Sequence, residues 1–249
     1  IFKNKLGWKK MSVFFADRDN MKDGKINIVN EDAHHIATSL RARVGEFINI
    51  NVDKVRYNCI IEEIFKDKII CKIISKSEEQ AEPDVKVRLM QALVKGDKAE
   101  HIIQKSVELG VDEIVFFKSK NCVVDFDDKT VKKKLIRYNA VAKSAAMQCG
   151  RDIIPKVLIY KSYIDLFDLE DADKNILFYE NEKINKLRDV ENKKSVNFIV
   201  GPEGGFDKSE VDIAKSNGYE ICTLGNRILR TETVSTAVLA CIMFITDNL

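Results

Sequence analysis

The stretch Asn197-Phe198-Ile199-Val200-Gly201-Pro202-Glu203-Gly204-Gly205-Phe206-Asp207-Lys208-Ser209-Glu210 decides the fold class. Its apolar half reads as a buried strand and Gly201 to Gly205 as a turn. Asp207, with Glu210 three residues on, reads as the capping box of a helix ending at Gly218, Asp standing in for Ser or Thr. Strand, glycine turn and helix in that order make the repeating step of a parallel sheet with helices on its faces. Glycines at the C-terminal end of a strand let backbone approach a ligand closely, and open α/β sheets bind ligands at that end. Read alone, Gly-Pro-Glu-Gly-Gly serves equally well as a tight structural turn. It is neither GxGxxG nor a P-loop, which disfavours a Rossmann or Walker reading.

Outward from this stretch the step repeats. Downstream, Tyr219 to Leu224 reads as a strand and Gly225 to Arg230 as a loop; Thr231-Glu232-Thr233 opens a nearly all-apolar helix to Ile245. A helix apolar on every side is buried, often against a second subunit. The two turns would form one backbone-lined pocket with Arg227, Arg230 and Glu232 at its rim. Upstream, strands are expected at Val85–Leu93, Val111–Phe117, Asn175–Tyr179 and Val196–Val200. Helices are expected over Asp97–Leu109, with Gly110 just past the end, and from about Thr130 to Gln148. Ser75 to Pro83 is polar, aperiodic and ends in Pro, a linker candidate. Before it, Phe47–Val52, Tyr57–Phe65 and Lys68–Ile74 are short β-branched runs between polar turns, which predicts a small β-barrel or sandwich. One helix, Glu31–Arg41, interrupts it, with Asn30 a candidate N-cap. The organisation expected is a β domain over residues 11–76 and a larger α/β domain over residues 83–249.

The chain has 249 residues, 45% of them hydrophobic, which suits a globular protein rather than a disordered one. Its 41 Lys+Arg against 39 Asp+Glu leave a net charge of +2. The longest apolar stretch, Val234 to Ile245, falls short of the roughly 20 residues of a membrane span. No secretory segment is evident, so a cytoplasmic location without membrane association is expected. Met11 reads as the native start, with Ile1 to Lys10 an extension. The six cysteines form no CxxC pair or Cys/His cluster, so reduced, mostly buried thiols and no metal are expected. Between Lys129 and Lys156 there are eight Lys/Arg and one acid, Asp152. Such a stripe binds a polyanion or is a solvated helix face. Arg41 and Arg43, after His34 and His35, form a weaker basic cluster. The three histidines, His101 included, read as ordinary surface or capping residues.

Gly201-Pro202-Glu203-Gly204-Gly205-Phe206, with Leu224-Gly225-Asn226-Arg227-Ile228-Leu229-Arg230-Thr231-Glu232-Thr233, resembles the bacterial ribosomal RNA uridine-N3 methyltransferases of the SPOUT superfamily. Gln91–Lys98, Ile103–Val111, Ala145–Arg151 and His35–Leu40 with Arg41 and Gly45 fit as well, so the resemblance spans Met11 to Leu249. It implies a PUA-like RNA-binding β-barrel followed by a SPOUT α/β domain with a C-terminal trefoil knot. It implies a homodimer, each site completed by the other subunit, and the cofactor S-adenosyl-L-methionine. The cofactor contacts implied are Leu177, Tyr179, Glu180, Val200, Gly201, Pro202, Glu203, Gly204 and Gly205, then Leu224, Gly225, Arg227, Ile228, Leu229 and Thr233. The target implied is one uridine of 16S rRNA in the small ribosomal subunit, near the decoding centre. RNA contacts are expected from Arg41, Arg43, Lys95, Lys98, Lys132, Lys133, Lys134 and Arg137.

Uridine N3 offers a lone pair only after losing its proton, so a donor that stabilises negative charge at O2 or O4 would assist. Arg151 or Arg230 is assigned that role, with Gln148 orienting the base. Glu232 is a candidate proton acceptor; a carboxylate in a first helical turn is also favoured there by the helix dipole alone. Hydrogen bonding to loop amides is the preferred reading of Glu203. Two rivals remain: a non-catalytic rRNA-binding or ribosome-assembly protein, and a SPOUT enzyme acting on tRNA.

Overall fold

The computed structural model describes residues 13–77 and 81–249. The expectation placed on Met11, and the middle of the Ser75–Pro83 linker candidate, lie outside them. The chain divides into two compact units: the residues up to Glu82 with Ala146–Ile154, and Pro83–Ala145 with Pro155–Leu249.

In the first unit, β1 (Val13–Phe15), β2 (Met21–Lys22), β3 (Lys25–Val29), β4 (Phe47–Val52), β5 (Val55–Ile64) and β6 (Lys68–Lys76) form one sheet in the order β1-β4-β5-β6-β3-β2. Period-two burial of Ile48, Ile50 and Val52 on β4, and of Tyr57, Cys59 and Ile61 on β5, sends one face into a core shared with Phe14, Ile26, Ile28, Ile69 and Met147. The sheet curls over that core, but β1 and β2 remain edges, so the expected barrel is not closed by hydrogen bonds. The expected helix over Glu31–Arg41 is instead a single α-helical turn, α1 (Asn30–His34), running into a π-helical turn, His35–Ser39. Asn30 does not cap it: it has a left-handed φ of +57° and its amide donates to the Asp67 carbonyl.

In the second unit, β7 (Lys86–Ala92), β8 (Glu113–Phe117), β9 (Lys156–Tyr160), β10 (Lys174–Phe178), β11 (Ser195–Val200) and β12 (Glu220–Cys222) form a wholly parallel sheet, order β12-β10-β11-β7-β8-β9. β11 lies between β10 and β7, and Val196, Phe198, Ile199 and Val200 are all buried, as in a parallel sheet covered on both faces. The helices are α2 (Lys98–Glu108), α3 (Asp128–Cys149), α4 (Lys208–Ser216) and α5 (Thr231–Ile245). On α2, Ala99, Ile102, Ile103, Ser106 and Val107 are buried, the helical i, i+3, i+4 spacing. On α4, Asp207 accepts from the Ser209 amide and its own amide donates to Glu210, so the capping box forms as read.

Two expectations about burial need correction. α5 buries Ser235, Val238, Leu239, Ile242 and Met243 but leaves Cys241 and Phe244 exposed, so it is not buried on every side. Of the six free cysteines, Cys59, Cys71 and Cys222 are buried, Cys122 and Cys149 are half-buried and Cys241 is exposed. Burial pushes the Cys59 and Cys71 thiols up to about 12, so they stay protonated and inert. Among the described residues no helix is long and apolar enough to cross a membrane, and no cluster of three or more His, Cys, Asp or Glu is arranged to hold a metal.

Candidate cofactor cavity

β10, β11 and β12 end at Phe178, Val200 and Cys222, and a cavity of about 540 Å³ opens beyond these carboxyl ends, within the roughly 300–1,000 Å³ of ligand pockets. One wall is Val200 to Gly205, another Thr223 to Thr231, and the third Phe178, Tyr179, Glu180 and Lys183; Lys98 and Val234 complete it. The walls combine the glycine loop with charged and polar residues, among them Lys98, Glu180, Lys183, Glu203, Arg227 and Arg230.

Each wall is tied down. Buried Gln91 on β7 donates to the Thr231 hydroxyl at 2.9 Å and accepts from Ser235 at 2.5 Å, and Thr231 donates to the Gly201 carbonyl at 2.7 Å. The end of β7, the glycine loop and the start of α5 are thereby joined through buried groups. Asn121 donates to the Gly205 carbonyl at 3.1 Å. Gly205 has φ +70°, a left-handed backbone that favours glycine, and a Cβ there would also displace the carboxylate end of the exposed Glu180 side chain. In the third wall, Glu182 Oε1 collects the amides of Lys183, Ile184 and Asn185 at 2.7–3.1 Å, which holds its carboxyl below the usual range.

Lys98, Glu203 and Glu232 form the charged corner. Lys98 Nζ is 3.1 Å from Glu203 Oε1 and 3.5 Å from Glu232 Oε2. Glu203 also accepts the Lys95 amide at 3.3 Å. Desolvation opposes ionisation of Glu203, but its own amide, the Lys95 amide and Lys98 outweigh it and hold the carboxyl low. Lys98 is held above its usual range, chiefly by its hydrogen bond to Glu203.

The sequence-predicted residues separate clearly. Tyr179, Glu180, Val200 to Gly205, Leu224, Gly225 and Arg227 to Arg230 meet at the cavity. Leu177 is buried one residue inside β10, in the core, and Thr233 is exposed on α5; neither lines it. Glu232 does not line it either, and its Oε2 is buried without a hydrogen bond. Arg151 is in the first unit, 3% exposed, its guanidinium gripped by Glu82. The role expected of Arg151 is to stabilise negative charge at uracil O2 or O4; here its guanidinium is paired with a carboxylate. Gln148 is exposed on α3 and does not line the cavity.

Of the RNA candidates, Arg41, Arg43, Lys95, Lys132 and Lys133 are exposed. Lys134 sits 5.8 and 5.6 Å from the Phe126 and Tyr138 ring centres, Arg137 pairs with Glu100 at 2.6 Å, and Lys98 is committed to two carboxylates. Sequence reasoning gave no role to Lys183, Asn226 or Thr231, or to Gln91 behind the cavity. For Gln91 the signal was present: one amide inside the apolar run Leu89–Val94.

A family model described as an RNA methyltransferase domain matches residues 80–243, and one described as an RNA methyltransferase PUA domain matches residues 28–74. The chain is 34% identical over 233 residues to the ribosomal RNA small subunit methyltransferase E of Bacillus subtilis, covering 90% of this chain and 91% of that protein. It is 31% identical over 214 residues to the protein of that name from Mesomycoplasma hyopneumoniae, covering 83% and 93%. A crystal structure of the ribosomal RNA small subunit methyltransferase E of Neisseria gonorrhoeae bound to S-adenosyl methionine superposes with a TM-score of 0.84 at 28% identity, over 94% of this chain and 98% of that one. With the cavity at the ends of β10, β11 and β12 and both family models matched in order, the chain belongs to the ribosomal RNA small subunit methyltransferase E family.

Proposed function

We propose that this protein methylates N3 of one uridine in 16S rRNA within the small ribosomal subunit, near the decoding centre, with S-adenosyl-L-methionine as donor. The observation that carries the reading is the cavity at the carboxyl ends of β10, β11 and β12, walled by the Gly201–Gly205 and Thr223–Thr231 segments. A cavity of that size with apolar walls and a few charged and polar groups suits a ligand with an adenine ring and a polar amino-acid tail.

S-adenosylmethionine supplies a methyl group on a positively charged sulfur. The chain's part is to hold donor and acceptor in line and to favour loss of the uracil N3 proton. The glycine loop, Leu224 to Leu229, Tyr179 and Glu180 hold the cofactor. Arg230, on the cavity wall, donates to uracil O2 or O4 and stabilises the N3 anion. Arg41 and Arg43 in the β unit and the exposed Lys132 and Lys133 on α3 contact RNA phosphate. The segments around the cavity thread the trefoil knot that the family resemblance implies. A second copy of the chain covers the exposed Cys241 and Phe244 of α5, making the working form a homodimer. The setting is the cytoplasm.

Calorimetry with S-adenosylmethionine tests the site, with Gly205→Val as the contrast. A left-handed φ and a blocked Cβ should weaken binding about tenfold or more while circular dichroism stays native. Mass spectrometry of 16S rRNA from small subunits incubated with protein and cofactor should then find N3-methyluridine. Cofactor binding with methyl transfer only to tRNA would favour the transfer-RNA reading, and no binding at all the assembly-protein reading.

A further inference from the structure

We propose that Lys98 is a positioning residue for the methyl-transfer site: it bridges Glu203 and Glu232, fastening the glycine loop to the first turn of α5 and placing a positive charge between two neighbouring carboxylates. This rests on reading the cavity as the S-adenosylmethionine site.

Three elements meet at one nitrogen. Lys98 opens α2, Glu203 lies in the glycine loop and Glu232 is in the first turn of α5. Both carboxylate oxygens are within 3.5 Å of Nζ, so they are within 7 Å of each other. Among the described residues Lys98 is the sole cation paired with either of them. Glu180, Lys183, Arg227 and Arg230 also line the cavity, and none forms an ion pair with Glu203 or Glu232 among those residues. Glu232 Oε2 has lost its water and has no hydrogen bond, so the Lys98 charge is what compensates it. Two carboxylates this close repel unless a cation lies between them. The loop they would push away is the cavity wall.

A packing role and this charge role differ in their pH dependence. In Lys98→Met the stem is kept and the charge removed. At pH 8 both carboxylates would be ionised and opposed, and the loop would be driven from α5. As pH falls one carboxyl takes a proton, the repulsion ends, and the acid can hydrogen-bond its neighbour. The proposal therefore expects Lys98→Met to bind S-adenosylmethionine about tenfold more weakly than wild type near pH 8, the deficit shrinking toward pH 5.5. The cofactor's own titration is common to both proteins and cancels in the ratio. Lys98→Arg, which retains the charge, should follow wild type across the range. Calorimetry of the full chain at several pH values reads all three. A deficit that does not change with pH, an unchanged affinity in Lys98→Met, or Lys98→Arg as weak as Lys98→Met would overturn the role of Lys98 while leaving the site reading intact. Failure of the wild type to bind would overturn the site reading and this inference together.

Discussion

Asp152 and Glu82, in the first unit, receive hydrogen bonds on all four carboxylate oxygens. Asp152 accepts from Arg56 and from the Ala81 amide, and Glu82 accepts from Arg151 and the amides of Asp152 and Ile153. Glu232, beside the cavity of the second unit, has one oxygen with no hydrogen bond and a cation at the outer limit of contact. Desolvating charge is costly in both places, and only the first group is fully compensated by donors. The first arrangement anchors Gly150 to Ile153 within its unit. The second retains unused electrostatic potential next to a cavity, as a binding site must.

Three experiments can break or sharpen that contrast. The largest effect is expected from Asp152→Ala, which removes the carboxylate paired with an Arg56 side chain only 8% exposed. It should cost about 3–5 kcal/mol in chemical denaturation, and a loss below 1 kcal/mol would mean that the first group is not a structural lock. Glu82→Gln keeps the shape and an acceptor for the Asp152 and Ile153 amides but removes the charge facing Arg151. About 1–3 kcal/mol should be lost by the same measurement, with no gain in RNA affinity if Arg151 has no part in binding. The smallest effect concerns Asp207, whose carboxyl is held down to about 2, first by the Ser209 hydroxyl and then by Lys120. A carboxyl lowered on folding stabilises the fold above its unfolded value and loses that contribution as pH falls. Unfolding midpoints should therefore decline from near pH 3.8 toward 2 less steeply in Asp207→Asn than in wild type.

The same contrast marks what the sequence discloses. Period and punctuation are local, so the alternation from Val85 onward, the capping box at Asp207 and α5 are legible without coordinates. So is the cavity, because in a parallel sheet the glycine turns after β11 and β12, with only β10 between them, leave at the same carboxyl end. The Arg151–Glu82 pairing is hidden for the opposite reason: the two residues are 69 positions apart, and nothing local discloses it. Lys98 read as one more lysine for phosphate, since the two acids that claim it come from the glycine loop and from α5, far apart in the chain. Asn30 misled because Asn is favoured both at helix caps and in left-handed backbone, and here the second use prevails.

The position of β11 also sets a timetable. β7 pairs with β8 soon after both are made, but its other neighbour, β11, lies about 100 residues further along the chain. At roughly 5–20 residues per second of synthesis, β7 waits about 5–20 s with an unpaired edge. Through that interval Val87, Leu89 and Met90, each inaccessible in the finished sheet, have no strand beside them on that side. The nascent chain is most open to wrong pairing then, so a mutation that slows translation between β9 and β11 would lower the yield of active protein without altering the folded product.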